Sequence, residues 1–410
     1  MQIAWTSNWE NIMNKCFLYC FSSVFFISCS KQTQEDLPLD LDYYIIDLDK
    51  EKEEELSISC MFKNAQTIIL ESGDDCVIGQ IDDIQFFDGC IYILDYRKAK
   101  SLFVFDMEGN FIQKIGSVGN GPGEYTSPKD FTLDTDNRIL FLRDHSNRIH
   151  KYQLDGTYIH TITIPTLNSY VDFIQFYNGR LYVNCLEWEK SQNGYMLLEI
   201  NPTDGKILSR SLPIKYNKGW DESLSVSHSR FFMSRGNNPP RFNLMFMDYI
   251  VSIGKKITPY VKLKSRHLTT EKDIESFRSK DGEPNNILNI LNSKKIFNVH
   301  CFIESDDFIS FRYGISPQST FVVVYEKKTG ETKIANRLNN DLIFKRDRDG
   351  KMGNFMFSDS KGAYDILNTQ DYELLYAIQN NETIPTLDKL DKLMKLNGDN
   401  NPIIFFYEFK

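Results

Sequence analysis

A polar turn bearing glycine returns along this chain at nearly constant intervals, and that regularity narrows the fold more than any other feature. The turns are Asp106-Met107-Glu108-Gly109, Gln153-Leu154-Asp155-Gly156, Pro202-Thr203-Asp204-Gly205, Val251-Ser252-Ile253-Gly254 and Lys327-Lys328-Thr329-Gly330. Their glycines stand 47, 49, 49 and 76 residues apart (109 to 156, 205, 254 and 330), so three steps are almost equal and the fourth holds an insertion. Each unit has a second turn upstream, followed by a strand pattern. Asp88-Gly89 precedes Cys90–Tyr96, Asp136-Asn137 precedes Arg138–Asp144, and Asn178-Gly179 precedes Arg180–Leu186. Asp306-Asp307 and Lys361-Gly362 stand likewise before Phe308–Gly314 and Ala363–Leu367. Asn-Gly and Asp-Gly suit a two-residue hairpin because both central residues take positive φ. The flanking segments alternate apolar and polar, the period of a half-buried strand.

One unit therefore reads strand, tight turn, strand, longer loop, strand, turn, strand. In the second unit the strands fall at Asp130–Asp134, Arg138–Arg143, Arg148–Leu154 and Tyr158–Ile164. Four antiparallel strands per 40–50 residues describe a propeller blade. One such sheet cannot bury both faces alone, and radial stacking of neighbours does. The expected fold is all-β: a six-bladed β-propeller of four-stranded antiparallel blades with a few short inserted helices. Five blades count directly, and a sixth is expected within Met352–Lys410, short of one strand. A ring needs closure to remove its edges. An N-terminal strand, within Tyr43–Leu48 or Thr67–Glu71, is expected to complete the last blade. Helices are expected at Thr269–Phe277, Asn286–Leu291, Asp371–Gln379 and Leu387–Leu396. The fourth blade is the least regular, with Asn237-Asn238-Pro239-Pro240 where a hairpin should stand.

The sharpest local motif is Ile115-Gly116-Ser117-Val118-Gly119-Asn120-Gly121-Pro122-Gly123-Glu124-Tyr125, followed by Pro128-Lys129-Asp130. A phosphate loop must open a helix, whereas Pro128 and a further strand follow here. Gly119, Gly121, Pro122 and Gly123 therefore read as a structural crossover between two blades, with glycines taking positive φ and letting backbone approach backbone. This G-x-G-P-G-E-Y-x-x-P-x-D loop, with Phe131–Asp134 after it, resembles the six-bladed β-propeller lipoproteins of Bacteroides-type bacteria, distant relatives of NHL-repeat propellers. Phe302–Phe311, Tyr325–Gly330 and Asp399-Asn400-Asn401-Pro402 are similar to the same family. The resemblance covers the mature chain and implies fold and location rather than an activity.

The first 28 residues read as a secretory signal, with Met13 an alternative start. Lys15 precedes an apolar run, Cys16 to Ile27, that is too short to span a bilayer. Phe26-Ile27-Ser28-Cys29 resembles a loose lipobox with Phe26 in place of the usual Leu, so Cys29 is the expected lipid-attachment site. Residues 29–40 then form a polar tether, and 41–410 the propeller. The implied location is an outer-membrane lipoprotein on the periplasmic or cell-surface face. Of the other cysteines, a Cys60–Cys76 bridge is one open pairing. No C-x-x-C spacing suggests zinc or redox chemistry.

The net charge of -9 and the lack of a basic stripe argue against nucleic acid. Propeller ligands sit at one channel mouth, among loops between second and third strands and crossovers. Arg97, Arg143, His145, Trp188, Arg312 and Tyr313 come from the former, Glu124 and Tyr125 from the latter. Trp188 and Tyr313 offer faces to stack on a sugar or peptide, and the arginines can grip a carboxylate. His150 and His160 fall in strands and are expected to be exposed. No catalytic constellation, metal set or cofactor motif is present in the sequence. The leading expectation is a monomeric, non-catalytic binding or scaffold module for a glycan, a peptide or an envelope protein. The alternative is a lyase or hydrolase at the channel mouth.

Overall fold

The computed structural model describes residues 37–410 except 147, 165–168, 188–193, 221–230, 233–238, 279–286, 317–318, 346–351, 381 and 385–386. Six antiparallel sheets, each built on four strands in meander order, make the six blades of a propeller. Blade I runs from its inner strand Asp83–Phe87 to its outer strand Phe111–Ile115; blade II runs from Pro128–Asp134 to Tyr158–Thr163. Blade III spans Ser169–Tyr177 to Ile207–Pro213, and blade IV spans Phe231–Phe232 to Ile257–Lys264. Blade V spans Val299–Glu304 to Thr332–Asn339. Four helices follow the expected segments: α1 (Glu271–Phe277), α2 (Ile287–Asn292), α3 (Tyr372–Gln379) and α4 (Leu390–Leu393).

Closure differs in one respect from expectation. Three strands precede blade I: β1 (Tyr44–Asp47), β2 (Lys52–Ser57) and β3 (Phe62–Ile69). β3, which contains Thr67, pairs antiparallel with Ile403–Phe409 and supplies the outer strand of blade VI. β1, the alternative, instead lies parallel on the outer strand of blade IV, and β2 lies parallel on that of blade V. The chain thus straps three consecutive blades before it enters the ring. A parallel addition needs no tight turn, so no hairpin signal marked it.

Two of the recurrent glycines have a packing reason. A Cβ on Gly109 would stand 2.2 Å from the Ile69 carbonyl oxygen, and one on Gly205 would stand 2.8 Å from that of Thr163. Each turn is wedged against the outer strand of the preceding blade, at φ 94° and 75°, where only glycine sits without strain. The hairpins Asp88-Gly89 and Asn178-Gly179 have both residues at positive φ, as the sequence required.

Apolar clusters fill the gaps between successive blades, so both faces of each sheet are buried. Tyr92 and Leu94 of blade I pack with Leu140 and Leu142 of blade II. Phe141 on the opposite face packs with Leu181 and Val183 of blade III. Cys60 and Cys76 are free, not bridged. They lie beyond opposite ends of the eight-residue β3, which at about 3.3 Å per residue keeps them far apart.

Candidate functional site

The end of the ring that carries the crossovers and the loops between second and third strands is built by buried carboxylates. Asp95 closes the second strand of blade I and accepts hydrogen bonds from the backbone N–H groups of Gly79, Gln80 and Lys98 at 2.7–3.0 Å. Asp144, its counterpart in blade II, accepts from the Ser146 and Arg148 N–H groups and from the Arg148 guanidinium at 2.6 and 2.9 Å. His150 Nε2 lies 3.3 Å from the same carboxylate. Burial would raise the Asp144 carboxyl, but the His150 and Arg148 bonds outweigh it and hold it well below the usual carboxylate range. His150 is buried, contrary to expectation, with Thr161 bonded to its Nδ1 at 2.9 Å. Strand alternation cannot report exposure where neighbouring blades cover both faces.

Between the tops of blades I and II basic side chains gather around the Tyr96 ring, with Asp82 beside them. Tyr96, in the loop after Asp95, is half-buried, and Arg97 is exposed beside it. The Arg97 Nε donates to the Tyr96 hydroxyl at 2.8 Å and lies 3.3 Å from Asp82. Lys129, on the inner strand of blade II, places its ammonium 4.8 Å from the centre of the Tyr96 ring. Arg143 is buried in the same blade and donates to the Asp144 carbonyl oxygen. Among the described residues Lys129 has no hydrogen bond and no ion pair. Burial, and then the charges of Arg143, Arg97 and Lys100, push its ammonium below the usual lysine value, with Asp82 opposing. A partly desolvated cation with no direct ion pair is a site that favours an anion, and the half-buried Tyr96 ring stands beside it.

The sequence-expected residues divide. Arg97, Arg143 and His145 gather at this end, with His145 exposed. Glu124 is half-buried and serves the loop: its Oε2 accepts from the Gly121 N–H at 2.7 Å, and a Cβ on Gly119 would collide with its carboxylate. Pro122 is exposed, and Gly123 takes φ 77° against Tyr158. Tyr125 is wholly buried, its hydroxyl facing the Ile115 carbonyl and pushed up to about 12 by burial. Tyr313 is not a stacking platform: it is buried against blade IV, and its hydroxyl donates to the Leu48 carbonyl. Arg312 leaves the mouth too, donating from inside the ring to the Gly353 carbonyl at 3.1 Å. Alternation sends Arg312 and Tyr313 into opposite interblade gaps. Trp188 and Cys29 lie outside the described residues. Lys129 was missed because it stands in an inner strand, not a loop, and nothing in Pro128-Lys129-Asp130 marked it.

A second hollow of about 380 Å³ opens at the opposite end, by Cys60, Met61, Phe308 and Lys410. On its rim Lys328 pairs with Asp307 at 2.7 Å and Lys333 with Glu331 at 3.9 Å, and Lys410 closes one side.

The family described as "Domain of unknown function (DUF4934)" matches residues 43–408. The crystal structure of a protein assigned as exported, from Bacteroides fragilis NCTC 9343, superposes with a TM-score of 0.72 at 19% identity, over 89% of this chain and 99% of that one. That of a duf4221 family member from Bacteroides vulgatus ATCC 8482 gives 0.50 at 12% identity, over 85% and 97%. At these identities the likeness shows the fold. No curated relative matches the chain.

Proposed function

The chain belongs to the DUF4934 family, and we propose that it is an exported, non-catalytic binding module that captures a carboxylate-bearing glycan or peptide between blades I and II. The observation that carries this reading is Lys129: a half-buried ammonium against the Tyr96 ring, with Arg97 on the same ring and no hydrogen bond or ion pair of its own among the described residues. Tyr96 would pack against the apolar body of the ligand while Lys129 and Arg97 take its carboxylate, the division of labour of small-ligand sites. Export is supported by the signal-like first 28 residues and by the likeness to a protein assigned as exported; attachment through Cys29 follows from the lipobox-like sequence. A stable anchor takes two acyl chains.

Calorimetry with an oligouronate and with its methyl ester tests the reading. The acid form should bind, the ester should not, and Lys129→Ala should weaken binding about ten-fold, the loss of one charged contact. Equal binding of acid and ester, or no effect of Lys129→Ala and Tyr96→Ala, would overturn it.

A further inference from the structure

The outer strands of blades I, II and III end their sheets, with no strand beyond them among the described residues. Those of blades IV and V are covered by β1 and β2. An uncovered edge presents a row of backbone donors and acceptors, and proteins blunt such rows with charge or bulk. Here exposed aliphatic side chains stand on the edges beside the charges. Three residues beyond the turn glycine, each uncovered strand carries an exposed aliphatic side chain: Ile112 at 48%, Ile159 at 38% and Leu208 at 40% exposure. In covered blade V the same register holds Lys333, and in covered blade IV it holds Ile257, which is half-buried.

Charge is shared by all the outer strands. The uncovered strands Phe111–Ile115, Tyr158–Thr163 and Ile207–Pro213 contain Lys114, His160 and Arg210 and no acidic residue. The covered strands are likewise free of acids, and the segments laid on them are acidic. Arg337 donates to Glu54 at 2.7 Å and to Glu55 at 3.2 Å across the blade V edge. Asp47 lies 3.8 Å from Lys264 across the blade IV edge. The molecule therefore shows, on two of its own edges, which chemistry its outer strands accept. Each uncovered strand has a register shift near its turn, at Val104/Phe105, Lys151/Tyr152 and Glu199/Ile200 on the partner strands. A bulge of this kind does not forbid addition. The blade IV edge has one at Ile250/Val251 and still pairs four residues with β1 beyond it.

From these observations we infer that the outer rim of blades I–III is a docking surface for an extended, acidic and aliphatic segment of a partner protein, laid along the edges as residues 44–57 are laid along blades IV and V. Backbone pairing would supply affinity, and the row Ile112, Ile159 and Leu208 with Lys114 and Arg210 beside it would supply selectivity. The site is independent of the cluster around Tyr96 and stands on a different part of the ring.

The test is amide hydrogen exchange on the full mature chain, with a synthetic peptide carrying the sequence of residues 43–57 as probe. Slowed exchange in Phe111–Ile115, Tyr158–Thr163 or Ile207–Pro213 is expected. The same peptide with every Asp and Glu replaced by Lys should give none. The triple variant Ile112→Asp, Ile159→Asp, Leu208→Asp should weaken the effect about ten-fold while its urea unfolding stays unchanged, because exposed positions contribute little to stability. No slowed exchange, or equal protection by the lysine peptide, would overturn the inference. So would protection confined to Ile257–Lys264 and Thr332–Asn339, which would mean displacement of the chain's own strap. Self-association abolished by the triple variant would overturn it in favour of a second copy as occupant.

Discussion

The two halves of the ring are held together by different devices. In blades I–III the inner strands are stitched to one another across the gaps. Gln85 donates to the Phe131 carbonyl at 2.9 Å, the Ile174 N–H donates to Asp130 at 2.6 Å, and the Phe176 N–H donates to the Thr132 hydroxyl at 3.0 Å. In blades IV and V the outer edges are strapped by β1 and β2, in blade VI the N-terminal β3 is itself the outer strand, and a buried ion pair replaces the stitches. Arg241 lies 3.0 Å from Glu304, whose other oxygen accepts from the Tyr260 hydroxyl at 2.6 Å. The difference teaches where each half can be loosened. The first half depends on local polar contacts near the channel and leaves its rim open. The second depends on a segment far away in sequence, so its stability is a property of closure.

The sharpest way to break this division is at the strap. Phe62, the first residue of β3, is completely buried among Phe308, Phe355, Tyr407 and Phe409. Phe62→Ala should cost about 3–5 kcal/mol, the range for deleting a buried aromatic ring. Exchange protection should fall first in Ile403–Phe409 and Gly362–Leu367, with blades I–III opening only at the global midpoint. Uniform loss of protection around the whole ring would show that the halves are not separable.

Two buried carboxyls sharpen the comparison by responding to pH in opposite senses. Asp365 of blade VI is pushed up from the ordinary 3.8 to about 6 by burial, against hydrogen bonds from the Gly353 and Ile366 N–H groups and the charge of Arg312. A carboxyl raised by folding contributes stability fully below its unfolded value and loses it as pH rises through about 6. The amount is about 3 kcal/mol. Asp365→Asn should therefore flatten the urea midpoint between pH 4 and 6. Asp144 of blade II behaves inversely: its folded value is depressed, so its contribution is present above about 3.9 and is lost as pH falls through the folded value. Asp144→Asn should cost about 2 kcal/mol at pH 7, as expected for charge-assisted bonds, and the wild-type advantage should vanish in acid. A common pH response of both variants would contradict the assignment of distinct environments.

The ring was legible in the sequence because its turns are local: Asp88-Gly89 or Gly109 announces itself through backbone geometry that few residues tolerate. Helices α1 and α3 were legible for a similar reason, since Thr270 and Asp371 cap them with side-chain bonds to Asp273 and Leu374. The strap was half legible. The last blade visibly lacked a strand, but nothing local distinguishes a segment that adds antiparallel within a blade from one that adds parallel outside it. The mouth was least legible. Arg143, His150, Arg312 and Tyr313 all sit in patterns that read as half-exposed, yet a blade has neighbours on both faces. The polar face of such a strand becomes an interblade gap.

Tyr313 gives the smallest predicted effect and the cleanest distinction between a binding residue and a strap contact. Its hydroxyl reaches the Leu48 carbonyl at 3.4 Å, just after β1, while its ring packs with Phe321. Tyr313→Phe keeps the ring and removes a long hydrogen bond, so the loss should be about 0.5–1 kcal/mol. That loss should appear as faster amide exchange around Leu48, with the Tyr96 cluster between blades I and II unaffected. If oligouronate binding fell while exchange at the strap stayed fixed, Tyr313 would belong to a ligand site, and the second half of the ring would share the function assigned to the first.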